Sequence, residues 1–495
     1  MEIAFQKTEI PCMVRAVGEV QNSEQTQELR LPDGMPDIGQ VVCAWGQVIL
    51  RGKEWRSDSI LISGGMLMWV LYTPEGGGSP QVLDGWLPFQ MRWMLPEDCG
   101  DGTIRITALT RFADARSVSP RKLMLRGGIG VMAEALVPRK AELISPKGEP
   151  EGVELLKKSY PVRLPREAGE RAFTLEEELN AASRPEKLLC YTLRPEITEQ
   201  KVLANKIAFR GNANLHVAWL EEDGSVGAQD FPMPFSQVAE LRGSFSPDAR
   251  VDIGCCVTDL EVEVGEMGQL LTKCGLTAQY LVDDLQWLET VEDAYAPGRD
   301  LRMEKKLLEI PTVLERRVET VAADARVIPG GQIVDVSFLP DFPRQYREGG
   351  DMSLEIPGTV QTLCRDDQGN LSAASARWEG KLLWPLGEGT SLMAVPQSPP
   401  TPQAFPGGEG TVFQAQLPVL LTASGGQGIP MVAELEPGQR TEPDPQRPSL
   451  ILRRAGADGL WEIAKACGST VGAIRIANGL QEEPKPGQML LIPVI

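Results

Sequence analysis

The chain has 495 residues and a formal net charge of −19, and 42% of its residues are hydrophobic. This length and composition predict a globular protein of three or four domains and exclude a largely disordered chain. The single histidine, His216, argues against a Ser-His-Asp triad, against histidine-based acid–base catalysis and against a zinc site with several histidine ligands. We interpret His216 as an ordinary strand residue.

The negative charge is concentrated in the middle of the chain. Residues 1–150 carry a net charge of −2, residues 151–449 carry −18 and residues 450–495 carry +1. Nucleic acid and anionic lipid are bound by clustered Lys and Arg, so the acidic middle of the chain should repel both. A partner that is attracted by charge should be basic, or should meet one of the nearly neutral ends.

The cysteines and the N-terminus indicate the compartment. The nine cysteines are odd in number and scattered, and no C-x-x-C pair occurs, which is typical of free thiols in a reducing compartment. Residues 1–7 lack the basic and apolar segments of a signal peptide, and the apolar runs are too short to span a bilayer. These features predict a cytoplasmic protein with no transmembrane segment.

Short apolar runs recur between Pro- and Gly-rich turns, which predicts mostly β structure. Residues 63–72 match residues 210–219 at an offset of 147, and three further pairs of short segments follow in the same order at offsets of 146 or 147. Four matches in register indicate a duplicated β domain. Residues 175–182 are predicted to form a short helix.

A third and more divergent copy is predicted, because residues 360–369 resemble residues 216–224 at an offset near 145. The predicted fold class is mainly β, with three tandem antiparallel β-sandwich-like repeats followed by a small α+β module. The predicted boundaries are 1–145, 150–296 and 300–436 for the β domains, 437–449 for a Pro-rich linker, and 450–495 for the last module.

The last module has a specific pattern. Residues 450–452 and 489–493 are predicted strands, and two short helices are predicted between them. This pattern closely resembles a LysM domain, which is a βααβ module. Gly459 stands where LysM domains usually have Thr or Ser, so we expect Asp458 to replace the missing hydroxyl cap.

The LysM resemblance implies a ligand groove between the two turns of the module. The residues at these turns are Asp458, Gly459, Leu460, Asn478, Gly479 and Leu480. Trp461 could stack against a sugar, but its spacing in the helix favours packing in the small core of the module.

The remainder of the chain resembles a second family of domains. Residues 31–38 and 119–122 resemble the SPOCS (spore coat structural) domain. Residues 184–189, in the second repeat, resemble it more weakly. Tandem SPOCS-like repeats followed by one LysM domain resemble the SpoIVA-interacting protein L family of spore-coat morphogenetic proteins. The resemblance implies that the LysM domain binds an ATPase scaffold, stage IV sporulation protein A, in the mother-cell cytoplasm at the forespore surface.

No catalytic, cofactor-binding or metal-ligating residue is predicted. Ser119-x-x-Lys122 matches the S-x-x-K motif of some serine enzymes, but we predict that it forms a turn before a strand. No P-loop motif occurs, so ATP hydrolysis is not expected. Residues 366–370 are typical of a hairpin turn and lack the alternating ligands of a calcium loop.

We therefore predict a non-enzymatic structural adaptor in endospore coat assembly. Its expected partners are a stage IV sporulation protein A-like ATPase scaffold and other coat proteins. The alternative is a LysM protein that binds peptidoglycan, or another N-acetylglucosamine-containing glycan, in the cell or spore envelope, which would require export. An enzyme with a LysM targeting module is a third hypothesis, and it would require a catalytic constellation within residues 1–436.

Overall fold

A computed structural model describes residues 3–397, 402–407, 410–440, 448–456 and 458–495. Strands make up 74% of the structure and helices 3%, and each strand pairing among the described residues is antiparallel. This confirms the predicted fold class. Parts of the predicted insert at 396–410 and of the predicted linker at 437–449 lie outside the described residues, as does Ala457 of the last module.

The first two repeats have matching sets of strands. The strands of the first are β1 (Phe5–Arg30), β2 (Ile38–Trp55), β3 (Ser59–Pro74), β4 (Gln81–Met94), β5 (Thr103–Ser119) and β6 (Lys122–Pro146). The strands of the second are β7 (Glu154–Leu179), β8 (Lys187–Leu203), β9 (Lys206–Leu220), β10 (Val226–Glu240), β11 (Arg250–Val264) and β12 (Leu270–Tyr295). Strands β3 and β9 begin 147 residues apart, which is the offset seen in the sequence.

The third repeat has the same plan with short additional strands, and the last module follows it. The strands of the third repeat are β13 (Arg299–Val327), β14 (Gln332–Pro340), β15 (Arg344–Glu348), β16 (Asp351–Arg365), β17 (Leu371–Pro385), β18 (Thr390–Pro396), β19 (Gln403–Pro406) and β20 (Thr411–Arg440). The last module contains β21 (Leu450–Arg454), α1 (Leu460–Cys467), α2 (Val471–Asn478) and β22 (Met489–Pro493). Because β20 runs to Arg440, the first residues of the predicted linker pair with β13.

Each repeat is built from two sheets. The long first and last strands pair in β1–β6, β7–β12 and β13–β20, and the last strand of each repeat also pairs with β5, with β11, or with β18 and β19. The remaining strands form the second sheet, as in β2–β3–β4 and β8–β9–β10. Buried side chains from both sheets share one core, such as Met66 with Leu125 in the first repeat and Phe209 with Leu276 in the second. The repeats are therefore β-sandwiches. The exact boundaries of the predicted domains remain a prediction.

The three repeats form a closed ring. At each junction of the ring, the residue at one equivalent strand position contacts the next repeat. Trp69, His216 and Gln361 are each the eleventh residue of β3, β9 and β16. Trp69 packs edge-on against Tyr191 of the second repeat, with ring centroids 4.5 Å apart.

The other two positions complete the ring with polar contacts. His216 Nε2 lies 3.0 Å from Asp335 Oδ1 of the third repeat. Gln361 Nε2 donates to the carbonyl oxygen of Ala44 in the first repeat, at 3.1 Å. Each repeat thus contacts the second strand of the next repeat, and the third contacts the first.

A shared core lies where the three repeats meet. Leu71, Ala218 and Leu363 also occupy equivalent positions, two residues further along β3, β9 and β16, and they belong to one buried cluster. Cys43 and Cys190 belong to the same cluster. Burial among these apolar groups raises the pKa of both thiols, which therefore remain protonated. None of the nine cysteines, all of which the structure describes, forms a disulfide.

The predicted helix over 175–182 is wrong. Residues up to Leu179 belong to β7, where Leu175 pairs with Cys274 and Leu179 pairs with Leu270. Phe173 and Leu175 alternate inward and pack against the core of the second repeat. The spacing of leucines is compatible with a helix, but pairing with β12 decides the local structure.

Candidate functional site: the groove of the C-terminal module

The C-terminal module is a two-stranded sheet with two helices packed on one face. Strands β21 and β22 pair antiparallel, with Ile451 opposite Ile492. The inward residues form a small core that the helices complete. Its buried apolar members are Ala455, Leu460, Ile463, Ala464, Cys467, Ile474, Leu490 and Ile492, and Tyr295 at the end of β12 packs against them. The order β21–α1–α2–β22 is the predicted βααβ arrangement.

The start of α1 has an unexpected cap. Gly459 is the N-cap residue and supplies no side-chain hydrogen bond. Glu483 Oε2, from the loop after α2, accepts a hydrogen bond from the Leu460 backbone N–H at 3.0 Å. The Asp458 carboxylate instead pairs with Arg453, at 2.7 Å. The expectation that Asp458 replaces the hydroxyl cap is therefore wrong, and Glu483 has this role because the fold brings its loop to the helix.

The same carboxylate links the start of α1 to α2. Glu483 contacts the turn before α1 through Leu460 and contacts α2 through Arg475, whose Nη2 lies 3.5 Å from Glu483 Oε1. Glu483 and Arg475 were absent from the sequence-based site. Gly459 stands where LysM domains usually have Thr or Ser, so the N-terminus of α1 has no hydroxyl cap. This is the sequence signal that a side chain from another part of the chain should cap the helix.

The six predicted groove residues differ in what they can offer a partner. Asp458 and Gly479 are exposed, and Gly459 and Leu480 are half-buried. Gly479 ends α2 with φ +62, a left-handed conformation that favours glycine. Leu460 is only 1% exposed, so its side chain belongs to the core. A partner in the groove would meet mainly Asp458 and the backbone of the glycines.

Asn478 has a structural task. Its Nδ2 donates to the carbonyl oxygens of Ile474 and Leu491, at 2.8 and 2.6 Å. Its Oδ1 accepts from the Leu491 backbone N–H at 2.7 Å. These bonds tie the end of α2 to β22. An Asn478→Lys substitution should therefore loosen the module rather than act on a partner alone.

Trp461 lies at the contact between the module and the ring of repeats. Its ring packs edge-on against Tyr295 at the end of β12, with centroids 4.8 Å apart. Its Nε1 donates to Asp293 Oδ2 at 2.9 Å, and Lys465 Nζ donates to the same oxygen at 2.6 Å. The Tyr295 hydroxyl donates to the carbonyl oxygen of Ser469 at 3.0 Å. The module is thus docked on the second repeat through one face of α1.

The Asp293 carboxylate is held ionised by this contact. Burial raises its pKa, but hydrogen bonds from Lys465, Trp461 and Lys305 outweigh burial and lower the pKa to about 2. The face of α1 that carries Trp461 packs against Tyr295 and Asp293 of the second repeat. The groove turns are at the ends of the helices, and Asp458 remains exposed there.

The other motifs considered in the sequence have structural positions. Ser119 ends β5 and Lys122 begins β6, so the S-x-x-K match spans a hairpin turn, as predicted. Asp366 Oδ1 accepts from the backbone N–H groups of Gln368 and Asn370, at 2.9 and 2.8 Å, which is also the predicted hairpin turn. Within the described parts of the chain, no group of three His, Cys, Asp or Glu side chains is arranged to hold a metal ion.

His216 lies in β9, as predicted, and it is held on both sides. Its Nδ1 lies 2.9 Å from Asp230 Oδ1 and its Nε2 lies 3.0 Å from Asp335 Oδ1. Burial lowers its pKa, but the two carboxylates outweigh burial and raise the pKa to about 9. His216 is therefore a charged link between the second and third repeats.

The fold and the C-terminal module define a class: a protein of β-sandwich repeats with a small, docked βααβ binding module. Comparison with family models is more specific. Residues 185–265 match the model described as SipL, SPOCS domain, and residues 457–493 match the model described as LysM domain. The chain therefore combines a SipL SPOCS domain with a C-terminal LysM domain, as the sequence resemblance implied. The SPOCS match lies in the second repeat, whereas the clearer resemblance in the sequence was assigned to the first.

Searches of the curated proteins and of the solved structures found no significant match to this chain. SPOCS and LysM are non-catalytic binding domains. Their combination indicates a sporulation-related protein with a glycan-binding type of module. Among the described residues, no helix has both the length and the apolar character needed to cross a membrane.

Proposed function

We propose that this protein is a non-enzymatic structural adaptor in endospore coat assembly, and that its LysM groove binds a stage IV sporulation protein A-like ATPase scaffold. It would act in the mother-cell cytoplasm at the forespore surface and tether other coat proteins there. The combination of a SPOCS domain with a LysM domain supports the sporulation context. The division of labour, with the LysM module for the scaffold and the repeats for coat proteins, is part of the proposal.

The observation that carries the proposal is the docked orientation of the module. The half-buried Trp461 on α1 packs against Tyr295 and donates a hydrogen bond to Asp293, while Asp458 at the groove is exposed. A docked module presents its groove in a fixed direction from the ring, which favours simultaneous binding of two partners. Linked sites of this kind gain avidity because the second binding event occurs at a high effective concentration.

Charge gives a second line of support. The module carries +1, whereas residues 151–449 carry −18. The module can therefore approach an acidic surface that the acidic part of the ring would repel. In the groove itself, the Asp458 carboxylate is already paired with the Arg453 guanidinium, so the groove presents little net charge of its own there.

The test is a pull-down of the full-length protein from sporulating cells, with three variants beside the parent. Asp458→Lys changes the groove, and a deletion of residues 450–495 removes the module. Glu388→Lys is the matched control, because Glu388 is exposed in a turn of the third repeat and undergoes the same change of charge. We expect the ATPase scaffold to be recovered with the parent and with Glu388→Lys, and to be reduced or absent with the other two.

A glycan-binding function is the second candidate, and the LysM match favours it. The same proteins are titrated with N-acetylglucosamine oligomers. Oligomer binding that is lost in Asp458→Lys, without recovery of the scaffold by the parent, would replace the adaptor proposal by the glycan one. Scaffold recovery that is unaffected by Asp458→Lys would place recognition outside the groove, for example on the outer face of β21–β22, where Leu450, Leu452 and Met489 are exposed.

A further inference from the structure

A cavity of about 390 Å³ lies between the three repeats. Two strands of each repeat supply most of its wall, and these strands are β2 and β5, β8 and β11, and β14 and β18. Each of the six lies at the edge of its sheet. An edge strand has one row of backbone N–H and C=O groups that no neighbouring strand pairs. The cavity is therefore the place where strand edges of all three repeats meet.

The outer edge of β5 shows where these backbone groups point. The Ile106 N–H donates to Gln279 Oε1 of the second repeat at 2.9 Å, and the Ile106 carbonyl oxygen accepts from Gln279 Nε2 at 2.9 Å. Along a strand, the backbone groups of every second residue point to the same side. Those of Ala108 and Thr110 therefore share the direction of Ile106, and both residues line the cavity. The wall thus offers backbone donors and acceptors in addition to side chains.

Hydroxyl side chains from all three repeats line the cavity. Thr107 and Thr110 belong to the first repeat, Thr192 to the second and Ser337 to the third. None of these hydroxyls forms a hydrogen bond with any other described residue. Each of the residues is half-buried, so its side chain stays accessible from the cavity. A hydroxyl both donates and accepts, so these groups can bond the hydroxyls of a ligand in either direction.

The charges in the wall balance. Of the described lining side chains, three are cationic and three are anionic: Arg105, Arg194 and His216 against Glu134, Glu196 and Asp252. Arg105 is paired with both Glu134 and Asp252, so these groups satisfy one another. The cysteines of the wall add no charge, because burial raises the pKa of Cys255 to about 12 and that of Cys256 to about 11. A wall without net charge favours a neutral ligand.

Apolar side chains complete the wall. They include Leu109, Met132, Met393, Val395 and Leu420. Pockets for small ligands, of about 300–1,000 Å³, combine such apolar walls with a few placed polar groups. The cavity therefore suits a compact ligand that has both polar groups and some apolar surface.

The shape of the wall argues against a peptide. A peptide that adds a strand to a sheet needs one long continuous edge. Here each strand contributes only a few residues, such as 192–197 of β8 and 336–340 of β14. A sugar is compact and neutral, and it has many hydroxyls together with exposed C–H groups. It therefore matches the hydroxyls, the charge balance and the apolar part of this wall.

We propose that this cavity binds a small neutral sugar of one or two hexose units. The sugar hydroxyls exchange hydrogen bonds with Thr110, Thr192 and Ser337 and with the backbone edge of β5. The C–H groups of the sugar pack against Met393 and Val395. Because the sugar contacts all three repeats, its binding stabilises the closed ring. The site is independent of the LysM groove and of the adaptor proposal.

The test is calorimetric titration of the full chain at neutral pH with glucose, galactose, maltose and sucrose. We expect one molar equivalent of at least one of these sugars to bind. Cyclohexanol keeps a six-membered ring but has a single hydroxyl, and glucose 6-phosphate adds a charge that the balanced wall does not compensate. We expect both to bind at least about tenfold more weakly than the best sugar.

Three results would overturn the proposal. The first is the absence of saturable binding by all of the sugars, which would leave water as the partner of the hydroxyls. The second is binding of cyclohexanol or glucose 6-phosphate as strong as that of the best sugar, because hydroxyl recognition or charge balance would then have no role. The third is binding of N-acetylated tri-alanine amide without binding of any sugar, which would assign the cavity to a peptide.

Two variants test the hydroxyls directly. Thr192→Val and Ser337→Ala each remove a hydroxyl that bonds no other described residue, so the thermal transition of the ring should stay unchanged. Each should weaken sugar binding about fivefold, the loss expected for one hydrogen bond. Thr320→Val is the matched control, because Thr320 is exposed on β13 and does not line the cavity. Sugar binding that is unchanged in both hydroxyl variants would contradict the proposed contacts.

A blocking variant locates the sugar. Gly254 lines the cavity, and a Cβ added there meets nothing within 4 Å, so Gly254→Phe should fill part of the cavity and abolish sugar binding. Gly426→Phe is the matched control, because that strand glycine also has open space and does not line the cavity. Folding of both variants is checked by their thermal transitions. Sugar binding that is retained in a folded Gly254→Phe protein and lost in Asp458→Lys would place the sugar in the LysM groove and overturn the proposal.

Discussion

The ring of repeats and the LysM module are stabilised in different ways. The ring depends on contacts between residues far apart in sequence, such as the shared core of Leu71, Ala218 and Leu363 and the ion pairs of Asp283. The module has a short local core and is attached to the ring by Trp461 and Lys465, which share Asp293. This difference indicates that the ring should unfold as one unit, while the module can unfold alone.

The largest effect is expected from Asp283→Ala. The Asp283 side chain is fully buried and pairs with Arg163 and Arg316, so its removal leaves two largely buried guanidinium groups without their carboxylate. We expect the free energy of unfolding of the ring to fall by about 3–5 kcal/mol, measured by urea denaturation. Asp259→Ala is the control, because Asp259 forms a partly exposed pair with Arg51 and should cost about 1 kcal/mol or less. Equal losses of unfolding free energy in the two variants would contradict the conclusion that buried ion pairs stabilise the ring.

Trp461→Ala tests the independence of the module. The substitution removes a large side chain from a small core and also a hydrogen bond to Asp293. We expect a loss of about 3 kcal/mol, comparable to the whole stability of so small a module. Calorimetry should show residues 450–495 unfolding while the transition of the ring is retained.

Ile476→Ala is the matched control in the same module, because Ile476 is 85% exposed and should change stability by less than about 0.5 kcal/mol. A single transition, lowered for the entire chain by Trp461→Ala, would show that ring and module unfold together.

The His216 link predicts a pH-dependent contribution to the ring. The pKa of His216 in the folded protein is about 9, above its ordinary value of 6.5. Its stabilisation is therefore fully present below pH 6.5, decreases above that and is lost as the pH rises through 9. We expect His216→Gln to lower the free energy of unfolding by up to about 3 kcal/mol at pH 6 and to have little effect at pH 10. Urea denaturation of both proteins across this range measures the difference, and a loss independent of pH would disprove the charged link.

The smallest effect is expected from Asp293→Asn, which weakens the contact between module and ring. We expect the module to lose about 1–2 kcal/mol at neutral pH, because its charged hydrogen bonds become neutral. Since the pKa of Asp293 is lowered from 3.8 to about 2, the contribution is fully present above pH 3.8, and the parent should lose it progressively as the pH falls from 3.8 through 2.

Hydrogen exchange of residues 450–495 measures the effect of Asp293→Asn at pH 7. Asp300→Asn provides the comparison, because it makes the same chemical change at an exposed position on the neighbouring strand. If both variants leave the exchange of the module unchanged, Asp293 does not hold the module to the ring.

Much of the local structure follows from the sequence. The offset of 147 residues predicts the equivalence of β3 and β9, and the sequence also predicts the turn at Asp366 and the βααβ order of the module. The sequence-based predictions fail where contacts with distant segments of the chain determine the local structure. Leu175 and Leu179 have helical spacing, but β12 supplies strand partners for both. The cap of α1 comes from Glu483, 23 residues after Leu460.

The sequence by itself determined the β repeats, the LysM module and its two turns, because alternating hydrophobicity, glycine-rich turns and helix caps act over a few residues. Only the tertiary structure decided how these units meet. Trp69, His216 and Gln361 hold equivalent strand positions, yet they close the ring through an aromatic contact, an ion pair and an amide hydrogen bond. Three different residue types at one position leave no pattern in a single sequence. The physical reason is that each contact depends on its partner in another repeat, more than 100 residues away.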